Sequence, residues 1–254
     1  MLVIGARQRA AFETAAVLRF EGEMLTHAGL YFPNHMAILG RQRARRVIAL
    51  GIERAALYGL IGRSDVCRYI NLMWMFGSYF DDDPLLPWAS AILAERSRDD
   101  PSTNLARLAR RALAEFAHMA GPEHAYLNRA LLRLRHVLAQ PKLLQDRDHL
   151  PAHLQGLLAA LHPAKSARLT PPAYAALLAV AADKSAQHGL QGSEATLLIA
   201  LSMFYAGSRF DTDPQHGWAG AALTSVDQDS APQRLERLMK AAREQLALWL
   251  ARED

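Results

Sequence analysis

The chain has little of what would cross-link it or give it a ready chemical signature. Among its 254 residues there is one cysteine, Cys67. A lone thiol excludes an intrachain disulfide, and Cys67 falls within an apolar helical pattern where a buried thiol is the ordinary outcome. Lysine is scarce as well: only Lys142, Lys165, Lys184 and Lys240 stand among 29 basic residues. The arginines are spread along several helical patterns beside acids. The densest group, Arg41, Arg43, Arg45 and Arg46, reads as a solvated helical face. A nucleic-acid groove would gather such charge with stacking aromatics, so no nucleic-acid partner is expected despite a net charge of +4. No run approaches the roughly 18 apolar residues of a membrane span. The stretch Met1-Leu2-Val3-Ile4-Gly5-Ala6-Arg7 carries no apolar run of signal-peptide length, and a cytoplasmic protein is expected. There is no nucleophile elbow, phosphate loop or dinucleotide fingerprint, and no cofactor is expected.

What the chain does have is a repeat. Gly77-Ser78-Tyr79-Phe80-Asp81-Asp82-Asp83-Pro84-Leu85-Leu86-Pro87-Trp88-Ala89 returns, 130 residues later, as Gly207-Ser208-Arg209-Phe210-Asp211-Thr212-Asp213-Pro214-Gln215-His216-Gly217-Trp218-Ala219. At that fixed offset the match extends without a gap from Ala56/Ala186 to Leu93/Leu223, taking in Gly59/Gly189, Leu60/Leu190, Gly62/Gly192 and Met73/Met203. Two related helical subdomains follow, over residues 1–140 and 141–254, packed through their apolar central helices or as one continuous bundle. With 51% hydrophobic residues the chain has enough apolar side chains for a sizeable core.

Helical spacing runs through most of the sequence and strand alternation nowhere, so the fold class is an all-α bundle. Apolar periodicity predicts helices over 10–27 and 36–60, the latter bent or broken at Gly40 or Gly51. A helix capped by Ser64, with Asp65 in its first turn, continues to Phe76 and is apolar nearly all round, as is its counterpart over 195–206. Such helices belong inside a bundle. Further helices are read over 104–119, 123–138, 154–161, 172–188 with Thr170 as cap, and 233–250. Residues 97–102 and 225–230 are polar loops, and 140–148 is the best linker.

In each motif Gly77 or Gly207 ends the central helix, Asp83 or Asp213 stands where an N-cap is needed, and Pro84 or Pro214 takes the first helical position. Trp88 and Trp218, one turn on, fold back onto Phe80 and Phe210. That leaves Asp81 and Asp211 without a structural role and makes them the first candidates for binding. A magnesium-holding Asp-Asp-x-x-Asp fails on spacing, because Leu85 occupies the fourth position after Asp81. A manganese-type Asp-x-Asp needs a preceding strand, and neither loop has the ligand count of an EF-hand. His149 and His153 have the i,i+4 spacing of a shared metal, but Pro151 lies between them and no acidic or thiol partner follows. No metal site is expected. A metal-dependent enzyme using the paired acidic turns remains one alternative.

The run Asp65-Val66-Cys67-Arg68-Tyr69-Ile70-Asn71-Leu72-Met73-Trp74-Met75-Phe76-Gly77, continuing into Phe80-Asp81-x-Asp83-Pro84 and Pro87-Trp88-Ala89, resembles a group of small all-α proteins encoded beside type VI secretion effector and spike genes in proteobacteria. Phe20-Glu21-x-x-Met24, Phe32-Pro33 and Gly51-Ile52-x-Arg54-Ala55 with Tyr58-Gly59 fit the same pattern. The resemblance covers about the first hundred residues, and Arg68 and Tyr69 become Leu198 and Ile199 in the second half. It implies a genomic neighbourhood, and together with the tandem repeat and the absence of a catalytic constellation it leads to the expectation of a protein partner: a non-enzymatic adaptor or chaperone for a secreted effector or its spike loading, or alternatively an immunity protein against a cognate toxin. Asp81, Asp211, Arg68 and Tyr69 are the binding residues so expected.

Overall fold

A computed structural model describes residues 6–95, 100–145, 149–224 and 229–251, with side chains from residue 14 on. Parts of the two polar loops at 97–102 and 225–230, and the end of the 140–148 linker, lie outside the described residues. Among the described residues the chain is all helical. The helices are α1 (Ala6–Tyr31), α2 (Pro33–Leu39), α3 (Arg41–Leu57), α4 (Arg63–Phe76), α5 (Pro87–Ala94), α6 (Pro101–Ala120), α7 (Ala125–Ala139), α8 (Leu150–Leu161), α9 (Pro163–Ser166), α10 (Pro171–Gln187), α11 (Gly192–Ala206), α12 (Gly217–Leu223) and α13 (Ala231–Leu250). Several boundaries recur at the offset of 130: α3 and α10, and α6 and α13, begin and end in register, α2 and α9 share a start, and α1 and α8 share an end.

Two apolar cores result. One gathers Met24, Val47, Ile48, Tyr69, Ile70, Met73, Phe80, Leu105 and Leu108 between α1, α3, α4 and α6. The other centres on α11 with residues from α7, α8, α10 and α13, and takes Leu85 from the first acidic turn. Helix α11 meets the expectation of an all-round apolar element: Leu197, Leu198, Ile199, Leu201, Met203 and Phe204 are all buried. Burying such a side chain contributes about 1.5–3 kcal/mol.

Several local expectations are corrected. The 36–60 helix breaks at Gly40, whose φ of 75° ends α2, whereas Gly51 stays helical. Gly51 is there for closeness: a Cβ would stand 2.5 Å from Ile70 Cγ1, so α3 and α4 touch backbone to side chain. Helix α4 begins at Arg63 after Gly62, so Ser64 lies in its first turn and is not the cap. Thr170 does cap α10, accepting from the Ala173 N–H. A full capping box, Ser230 with Gln233, starts α13. The 140–148 segment is not a free linker, because Leu144 is fully buried in the second core. The central helices meet near their C-terminal ends, where a Cβ on Gly77 would stand 3.5 Å from the Ala206 carbonyl.

Candidate functional site

Each acidic turn begins where a central helix stops. Gly77 (φ 97°) and Gly207 (φ 91°) take left-handed conformations that other residues adopt only with strain, and they turn the chain sharply off α4 and α11. The turns then face each other. The Asp213 carboxylate accepts from the Ser78 N–H (2.8 Å), the Ser78 hydroxyl (2.6 Å) and the Gln215 N–H (2.8 Å). Reciprocally, Asp83 accepts from the Ser208 N–H (2.8 Å) and the Leu85 N–H (2.9 Å). Each carboxylate therefore closes its own turn and grips the other. The cap assignment of Asp83 and Asp213 holds in that both satisfy the N–H two residues on. Pro214 opens a short 3₁₀ turn before α12, and in the first copy the α-helix waits until Pro87, so neither Pro84 nor Pro214 is the first residue of the α-helix.

The other two aspartates point away from this junction into matching ion pairs. Asp81 accepts from Arg54 Nε and Nη2, at 2.7–3.2 Å over both oxygens, and from the Tyr58 hydroxyl at 2.8 Å. Asp211 accepts from Lys184 at 2.7 and 2.8 Å and from His188 Nε2 at 3.1 Å. Arg54 precedes Asp81, and Lys184 precedes Asp211, by 27 residues. Burial works against the Arg54 charge, but the bonds from Asp81 outweigh it and hold the guanidinium above its usual range. Burial raises Asp211, while hydrogen bonds from Lys184 and His188 and the Lys184 charge bring it below the ordinary carboxylate value. Tyr79 lies between two cations, with Arg54 and Arg209 at 4.9 and 5.0 Å from its ring centre.

Expected binding residues are thus corrected. Asp81 is 1% exposed and structural. The Asp211 carboxylate is held in the same manner, with little left for a partner. Tyr69 is fully buried in the first core against Phe80 at 5.2 Å, with its hydroxyl near the Arg54–Asp81 pair. Of the four, Arg68 alone reaches solvent, in an ion pair with Asp65 at 3.7 Å. The aromatic seal forms in one copy only: Trp218 packs on Phe210 at 6.1 Å, whereas Trp88 sits edge-on to Phe76 at 5.9 Å. His153 donates from Nε2 to the Leu143 carbonyl at 3.0 Å. No group of three metal-ligating side chains is present among the described residues.

Beside the junction lies a cavity of about 340 Å³, which sequence reasoning did not anticipate. Trp74, Phe76, Phe116, Leu131, Met203 and Trp249 form most of its wall. Four basic side chains also line it. His35 binds the Gln215 amide oxygen at 2.8 Å, and that amide's nitrogen in turn donates to the Met73 carbonyl and Ser78 Oγ. His162 accepts from the Lys165 N–H through Nδ1. Lys165 donates from Nζ to the Phe204 carbonyl and lies 4.6 Å over the Phe204 ring. Burial lowers all of them: His162 to about 4, helped by the Lys165 charge, and Lys165 to about 8, with Asp83 pulling the other way. His35 and His216 are likewise pushed below the usual imidazole value by burial. Burial also raises Asp83, against the N–H donors that favour its charge. The cavity's polar wall therefore sets three imidazoles and one lysine beside Asp83 and Gln215. No protein-family model, curated protein or solved structure matches the chain.

Proposed function

We propose that this chain is a non-enzymatic binding protein made of two copies of one helical unit, and that it serves as an adaptor or chaperone for a type VI secretion effector or for loading that effector onto the spike. The two-copy reading is supported by helix boundaries recurring at one offset and by acidic turns that exchange equivalent bonds. The secretion context is supported by the resemblance of the first hundred residues.

One observation carries the binding reading. Leu57 and Ile61, at the corner between α3 and α4, are 73% and 86% exposed, while the equivalent positions of the second copy are Gln187 and Gln191. Arg63 ties this corner to α1 through an ion pair with Glu23 and a position 5.4 Å over the Phe20 ring. An apolar edge on one copy, polar on the other, is the kind of surface that a protein partner covers.

The test is co-expression with the effector encoded beside it. Co-elution that is lost in Leu57→Glu/Ile61→Glu, with an unchanged melting temperature, supports the reading; failure to co-elute with any neighbouring effector or spike component ends it. An immunity protein would differ in that its deletion poisons the producer only while the toxin is intact. A metal-dependent role for Asp81 and Asp211 is not proposed, because their oxygens already accept from Arg54, Tyr58, Lys184 and His188.

A further inference from the structure

The cavity beside the junction has an imbalance in its hydrogen bonding. Most of the polar side chains on its wall are already satisfied within the protein. Asp83 accepts from two backbone N–H groups, Gln215 uses both ends of its amide, and the Tyr205 hydroxyl donates to the Ala130 carbonyl. What remains unengaged consists of donors. The Trp74 indole N–H is buried with no partner. His162 accepts from the Lys165 N–H at Nδ1, which leaves its own proton on Nε2. Lys165 has three N–H bonds and one protein acceptor, a backbone carbonyl, and no carboxylate lies within 4 Å of it among the described residues.

Comparison of the two copies shows why Lys165 is left over. At the offset of 130 it is the equivalent of His35, and Gln215 is the equivalent of Leu85. His35 is answered across the junction by Gln215, whereas the residue equivalent to Gln215 in the first motif is Leu85, which offers Lys165 no acceptor. A cation in such a place exchanges its solvation for one carbonyl and one ring face, without an ion pair, and a wall so rich in donors is complemented by an acceptor carrying negative charge.

We infer that this cavity binds a small monocarboxylate on an apolar, ring-sized or branched body, with Lys165 anchoring the carboxylate, Trp74 and His162 donating to it, and Phe76, Phe116, Met203 and Trp249 enclosing the body. A volume of about 340 Å³ falls at the lower end of the ~300–1,000 Å³ typical of ligand pockets. Asp83 limits the charge: it lines the same cavity, so a phosphate dianion would meet repulsion there, whereas a single negative charge can pair with Lys165. No arginine fork lines the cavity, which also disfavours phosphate.

The test uses the full-length protein and a panel of octanoate, isocaproate, phenylacetate, 4-phenylbutyrate and indole-3-acetate, each beside its primary amide. Binding is followed by calorimetry and by the intrinsic tryptophan fluorescence of Trp74 and Trp249. At least one carboxylate is expected to bind at a single site about tenfold or more tighter than its amide, the margin of a charge-assisted hydrogen bond. Lys165→Met, which removes a cation lacking an ion-pair partner and so is expected to fold, should erase that margin while leaving the amide's affinity in place. Lys165→Arg supplies a second variant in which the preference for carboxylate persists. Three results would overturn the inference: no panel member binds, amides bind as well as acids, or Lys165→Met keeps the carboxylate preference. The inference does not rest on the protein-partner reading, since Lys165→Met leaves Leu57 and Ile61 untouched and co-elution with the effector reports on that edge separately.

Discussion

The two acidic corners solve one problem with different side chains. In the first, Arg54 and Tyr58 hold Asp81; in the second, Lys184 and His188 hold Asp211. Both leave the basic partner 14% exposed, so burial alone does not separate them. Chemistry does. A guanidinium stays charged and forms a fixed fork, whereas an ammonium can shed its proton or swing its flexible stem toward water. Loss of the carboxylate therefore strands a charge in the first corner and a more adaptable group in the second. The same contrast runs through the cavity, where His35 is answered by Gln215 and Lys165 is not.

The largest effect should come from breaking the junction that both corners share. Asp213→Ala removes an acceptor from three buried donors, two on Ser78 and one on Gln215. At about 1–3 kcal/mol for each donor left unpaired, the loss reaches a substantial part of a domain's total stability, and urea unfolding should show a much lower midpoint or no cooperative transition. Next, Asp81→Ala should cost about 3–5 kcal/mol, the penalty of leaving one partner of a buried pair. Asp211→Ala should cost less in the same urea series; an equal loss would erase the distinction drawn between Arg54 and Lys184.

Acid should weaken the fold through the imidazoles of both halves. The folded protein holds His162 at about 4 against an ordinary 6.5, so between those values the unfolded chain binds more protons and stability falls as pH is lowered. His35 and His216 shift in the same direction, and Asp211, held below its ordinary value, adds a loss only under about pH 4. Asp83, raised by burial, opposes them at the acid end. Lys165 contributes no slope below about 8. Melting temperature should thus drop from pH 7 to pH 5, and His162→Asn, which keeps a capping oxygen without titrating, should flatten that drop. The smallest effect is expected at Arg68→Ala, within about 0.5 kcal/mol, because its pair with Asp65 is half exposed.

Much of this fold was legible. Apolar periodicity found the central helices, and Thr170 and the Phe210–Trp218 contact were readable because both are local. The roles of Asp81 and Asp211 were not, because their cationic partners Arg54 and Lys184 lie 27 residues upstream and just outside the ungapped match, which begins at Ala56. Arg54 and Lys184 are nonetheless both basic at the offset of 130, and Tyr58 and His188 are both donors; extending the comparison by charge instead of identity would have found the pairs. Gly51 was misread because only the nearness of Ile70 distinguishes a packing glycine from a helix breaker. The cavity lay beyond sequence reasoning, since it is lined from many helices that meet only in the tertiary fold.

The central claim is that the repeated motif is a reciprocal clasp whose carboxylates cross between the two copies. Native-state hydrogen exchange of the Ser78 and Ser208 amides tests it directly, since both N–H groups donate to buried carboxylates of the opposite turn. The account predicts that both exchange only through global unfolding, with equal protection that falls together in Asp213→Ala and Asp83→Ala. Fast exchange of either amide in the intact protein would contradict it.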